Sequence, residues 1–174
     1  DHEDGAALAM LSSVLAGGRS SRLYRRLVLE DRIASGVTAT MGPGRLYPGL
    51  FTIDASPRSP HSAREVEEAI YQEMERLKEA PPDPSELQGI RNQLEAAEVR
   101  RLRANLGLAL QLAESASLLG DWEAGFRFHG RMQGVTPEDV QRVARTYFGS
   151  QGRTVATLVK PAAPSPRRTR KEDP

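Results

Sequence analysis

The chain has 174 residues, enough for one compact domain, and its 24 Lys plus Arg nearly balance its 23 Asp plus Glu. That balance creates no field that would call for a nucleic acid or a membrane surface as partner. The absence of cysteine removes disulfides and thiolate metal sites, and no apolar run reaches the roughly 20 residues of a membrane span.

Residues 1–5 (DHEDG) run straight into a helical pattern without a signal peptide, as expected of a domain truncated at its N-terminus. Leu8, Leu11 and Leu15 line one face of this first helix. Gly17-Gly18 should stop it, because glycine enters the left-handed cap without penalty. Ser20 or Ser21 then caps a second helix with Leu23, Leu27 and Tyr24 inward. Residues 34–41 alternate, with Val37, Ala39 and Met41 on one face. Residues 49–55 do the same with Phe51, Ile53 and Ala55. An antiparallel hairpin across the turn-rich segment 42–48 follows.

The second half reads as mainly helical. Ser62 and Glu65 have capping-box spacing ahead of Val66, Ile70, Met74 and Leu77, and Pro81-Pro82 ends that helix. Asp83 caps the next, with Pro84 at its first position and Glu86 at its third; Leu87, Ile90, Leu94, Ala97 and Leu102 form its apolar face. A kink near Asn105-Leu106-Gly107 divides one long helical stretch over about 84–119. A shorter helix at 122–132 carries Trp122, Phe126 and Phe128, expected as core anchors. Thr136-Pro137-Glu138-Asp139 starts a last helix with Val140, Val143, Ala144 and Tyr147 inward. A strand at 154–159 closes a single domain over 1–160, and residues 161–174 form a basic, disordered tail. Strands separated by helix pairs predict an α+β fold, a mainly antiparallel sheet with helices on one face. A strand missing before residue 1 would leave an edge or apolar face open to self-association.

GGRSSRLYRRL at 17–27, IASGVTA at 33–39, GLFTIDA at 49–55, QLEA at 93–96, LLGDW at 118–122 and VTPEDVQRVARTYF at 135–148 occur in one order. Together they resemble the C-terminal domain of the insulinase-type (pitrilysin) zinc metallopeptidases, close to the bacterial and mitochondrial-processing-peptidase branch. The resemblance covers nearly the whole chain to about residue 160. It implies one of a pair of homologous domains enclosing a chamber, in which an extended peptide substrate adds to a sheet edge. The implied partners are an N-terminal catalytic domain or a partner subunit. The resemblance implies a bacterial protein and leaves the compartment unknown, cytoplasmic or periplasmic.

The family's chemistry rests on an H-x-x-E-H zinc motif in its N-terminal domain. This chain has only His2, His61 and His129, each remote from the others in sequence. No catalytic or metal-binding residue is therefore assigned, and zinc is implied only for a domain outside this sequence. Some members carry an arginine and a tyrosine that hold substrate. Aligning LVLEDRIAS (27–35) with their pattern puts Val28 and Ser35 at those positions, both departures, while Arg25, Arg26 and Arg32 are out of register. Substrate-binding residues are left unassigned.

The other groupings read as structure. GGRSSR lacks the phosphate-loop lysine and joins two helices. Ser20 and Ser21 have no histidine beside them in sequence. Glu65, Glu67, Glu68, Glu73 and Glu75 read as a solvated helix side. Arg100, Arg101 and Arg103 with Glu95 and Glu98 read as ion-paired surface, and Arg167, Arg168, Arg170 and Lys171 as a solvated terminus. The expected role is a non-catalytic chamber wall; a non-peptidase scaffold subunit of the same fold is the alternative.

Overall fold

The computed structural model describes residues 2–42 and 49–159. Among these residues six α-helices, a π-helix and one two-stranded sheet occur in the order α1 (Gly5–Ala16), π-helix (Tyr24–Glu30), β1 (Ala34–Gly42), β2 (Leu50–Pro57), α2 (Ala63–Glu79), α3 (Pro84–Arg103), α4 (Asn105–Leu119), α5 (Ala124–Gly134), α6 (Pro137–Tyr147). The α+β expectation holds. Residues 43–48 of the proposed turn and the basic tail, with Arg167, Arg168, Arg170 and Lys171, lie outside the described residues.

α1 is the centre of the core. Met10, Leu11, Val14 and Leu15 are fully buried, and they pack with Leu23, Leu27, Leu77, Leu87, Val140 and Val143. The stripe runs one residue round from the leucine face expected, since Leu8 is only half-buried. Each fully buried aliphatic side chain contributes about 1.5–3 kcal/mol.

The hairpin pairs in the register that the alternation predicts: Val37 with Ala55, Ala39 with Ile53, Met41 with Phe51. This apolar face packs towards the helices. Phe51 meets Phe148 edge-on, with ring centroids 5.0 Å apart, and the Ser12 hydroxyl donates to the Ala39 carbonyl at 2.6 Å. The outward face, carrying Thr38, Thr40, Thr52 and Asp54, is exposed.

Helix starts follow their side-chain chemistry. Ser62 with Glu65, and Thr136 with Asp139, form complete capping boxes, and Asp83 accepts from the Ser85 N–H. The long stretch breaks at Ala104, whose extended backbone ends α3 and begins α4. From Glu95 to Leu110 no side chain is buried, so this corner stands away from the core.

Several expectations are corrected. Gly17 ends α1 at φ −76°, outside the left-handed region; the positive φ, 141°, falls on Gly18. A Cβ on Gly17 would lie 2.5 Å from the Ser13 carbonyl oxygen, which is the reason for glycine there. The second helix is π-helical and has no side-chain cap, because the Ser21 hydroxyl donates backwards to the Gly18 carbonyl at 2.6 Å. Residues 154–159 pair with no strand among the described residues, and Val155, Leu158 and Val159 are exposed. Tyr147 is also exposed, since its ring leans towards His2 and its hydroxyl reaches Asp4. Trp122 is 54% exposed and anchors no core, Phe126 is only half-buried, and of the three only Phe128 packs against the core, also half-buried.

Candidate functional site

The glycine-serine-arginine turn before the π-helix is a charged junction. Arg22 clamps Glu86 of α3 with both donors, Nε to Oε1 at 2.9 Å and Nη2 to Oε2 at 2.7 Å. That carboxylate holds the Arg22 guanidinium above its ordinary pKa. Arg26 donates to the Ala69 carbonyl at 3.2 Å and to Gln72 on α2, and lies 3.5 Å from Asp31.

Glu73 sits at the centre of this junction. Its carboxylate lies 3.0 Å from Arg76, 3.6 Å from Arg26 and 3.7 Å from Arg22. The residue is 6% exposed, although the sequence places it among the solvated glutamates of α2. Sequence reasoning missed it because its three arginines come from two separate stretches of chain. The one available signal was its place three residues after Ile70 and four before Leu77, on the buried side of the helix. Of the other glutamates in that group, Glu65 and Glu68 are exposed with local partners, Ser62 and Arg64, and Glu75 pairs with Lys78.

A second buried carboxylate was also not legible. Asp4 accepts from Arg142 Nη2 at 2.6 Å and from the Tyr147 hydroxyl at 2.8 Å, joining the start of α1 to α6. The Arg142 hydrogen bond, helped by Tyr147, holds its carboxyl below the usual range against the opposing pull of burial. In return Asp4 raises the pKa of both Arg142 and Tyr147.

The positions taken by the substrate-holding pair in the resemblance carry no such chemistry. Val28 is half-buried against the core, and the Ser35 hydroxyl donates to the Ser56 carbonyl at 3.2 Å. Arg25 pairs with Glu30 at 3.1 Å on the surface, and Arg32 adopts φ 56° just before β1. The three histidines are not brought together. His2 Nδ1 accepts from the Asp4 N–H at 3.1 Å, His61 lies 3.4 Å from Glu65, and His129 sits on α5 beside Gln133. Among the described residues no three His, Asp or Glu side chains form a group that could hold a metal ion. The described residues thus offer no set of ligands that would hold zinc. Ser20 and Ser21 border shallow depressions beside Arg22 and Glu86, with no histidine lining either.

The peptidase M16 inactive-domain family matches residues 1–94, more than half of the chain and the stretch that holds α1, the junction and the hairpin. The chain belongs to this family. An uncharacterised zinc protease of Streptomyces coelicolor is 28% identical over 143 residues, covering 82% of this chain and 31% of its own length. The inactive peptidase domain of a candidate zinc protease from Bordetella parapertussis is 26% identical with a TM-score of 0.79, covering 93% of this chain and 87% of that one. A protease from Helicobacter pylori also gives 0.79 at 25% identity, covering 87% of this chain and 36% of that one. The inactive-domain chain thus spans about a third of the longer relatives and nearly all of the isolated domain.

As a member of the inactive-domain family, this is a non-catalytic C-terminal-type domain. Its ordered charges are structural: Glu73 and Asp4 tie helices together. No helix among the described residues is long and apolar enough to cross a membrane.

Proposed function

We propose that this domain forms part of the wall of a peptide-binding chamber in a zinc-dependent protease. In this reading it packs against a zinc-bearing catalytic domain or partner subunit and encloses an extended peptide. The observation that carries the reading is the one-sided sheet. Its apolar face is taken up by the helices, while Thr38, Thr40, Thr52 and Asp54 present a polar face to solvent. Such a face can line a hydrated cavity at little desolvation cost. The half-buried Val28 and the Ser35 hydroxyl turned to Ser56 support a role in enclosure, with the substrate-holding groups supplied elsewhere.

The test is reconstitution. This chain is combined with a polypeptide that carries the family's zinc motif, and cleavage of an unfolded peptide is measured with each part alone and together. Cleavage only in the combined sample, lost on chelation, is the expected result. Equal cleavage by the zinc-bearing part alone would remove the need for this wall.

A further inference from the structure

The outward side of α4 reverses the ordinary arrangement of a surface helix. Leu106, Leu110, Ala113 and Ser117 recur at heptad-like spacing and so form one stripe along α4. All four face solvent, with Leu106 70% and Leu110 60% exposed. The opposite side, towards α5, carries the buried polar side chains Gln111 and Ser115. Gly125 of α5 makes room for them: a Cβ there would lie 3.0 Å from Ser115 Oγ and 3.1 Å from Gln111 Nε2. Neither Oε1 nor Nε2 of Gln111 has a hydrogen-bond partner. Polar groups thus face the protein while Leu106 and Leu110 face water, an arrangement that a second apolar surface would relieve.

Size and charge both say what that surface is. The large residues, Leu106 and Leu110, occupy the N-terminal half of the stripe, and the small ones, Ala113 and Ser117, the C-terminal half. A second α4 laid antiparallel sets large against small at each level, Leu106 over Ser117 and Leu110 over Ala113. The N-terminal end of α4 has no side-chain cap and adjoins Arg100 and Arg103, which are exposed and unpaired among the described residues. Glu114, exposed and likewise unpaired, lies in the other half. Antiparallel pairing brings the cationic end of one copy beside the anionic half of the other and opposes the two helix dipoles.

We propose that the outer stripe of α4 is a self-association surface on which a second copy of this chain docks, antiparallel and with two-fold symmetry. The stripe is only about 16 Å long, so the dimer is weak and forms at high micromolar concentration. This goes beyond the chamber-wall reading and does not depend on it.

Sedimentation equilibrium across the micromolar to millimolar range tests it directly. A monomer–dimer equilibrium is expected, weakened at least about tenfold in Leu110→Glu. The circular dichroism and melting temperature of that variant should be unchanged, since Leu110 faces solvent. The chain has no cysteine, so orientation can be read by disulfide trapping. Leu106→Cys mixed with Ser117→Cys should cross-link, and Leu106→Cys alone should not. A chain that stays monomeric, a dimer indifferent to Leu110→Glu, or self-cross-linking of Leu106→Cys would each overturn the proposal.

Discussion

Glu73 shows how a single side chain can matter more than its neighbours of the same type. Its carboxylate is 6% exposed and faces Arg22, Arg26 and Arg76, so Glu73→Ala would leave three guanidinium groups without their shared counter-charge. Breaking such a group costs about 2–4 kcal/mol, reduced from a fully buried pair because the arginines keep partial contact with water. Glu68→Ala, on the exposed side of the same helix, should change stability by no more than about 0.5 kcal/mol. Urea denaturation of the two variants checks the contrast. Asp4 gives a pH-dependent counterpart. Its carboxyl is held low mainly by Arg142, so it contributes stability above its unfolded value of about 4. That contribution is lost as pH falls through the lower folded value. The melting temperature of Asp4→Asn should therefore lie below that of the parent at neutral pH, and the gap should close in acid. A gap constant with pH would show that Asp4 works by packing and not by charge.

At the level of elements, the helix starts were legible because capping is local chemistry. Ser62 with Glu65 and Thr136 with Asp139 are read within four residues of sequence and occur as complete boxes. Ser62→Ala and Thr136→Ala should each cost about 1 kcal/mol by thermal unfolding. Gly120 ends α4 at φ 68°, so Gly120→Ala should cost a similar amount, about 1 kcal/mol, by the same measurement. The hairpin register was legible for the same local reason, because alternation fixes which residues face the core. What the sequence did not disclose depends on contacts between distant segments. Nothing within residues 24–30 themselves requires π-helical winding in place of α. The β-prone residues 154–159 need a partner strand, and pattern alone could not say that none lies among the described residues. α4 misled differently. Gln111 and Ser115 occupy its buried side while Leu106 and Leu110 face solvent, and only the packing of α5 through Gly125 reveals it.

At the scale of the whole molecule, the site is defined by register more than by reactive groups. The run from Gly17 to Leu27 positions Arg22 and Arg26 for the junction around Glu73. By the same count it sets Val28 half-buried against the core and Ser35 on the hairpin. Family membership and the one-sided sheet are what the proposed enclosing role rests on, and the chain spans about a third of the longer zinc-protease relative. A domain of this kind is non-catalytic in isolation. The most direct test is zinc content and cleavage of an unfolded peptide by the purified chain, with and without added zinc and chelator. No stoichiometric zinc and no chelator-sensitive cleavage are expected; zinc-dependent hydrolysis by these 174 residues alone would overturn the non-catalytic assignment.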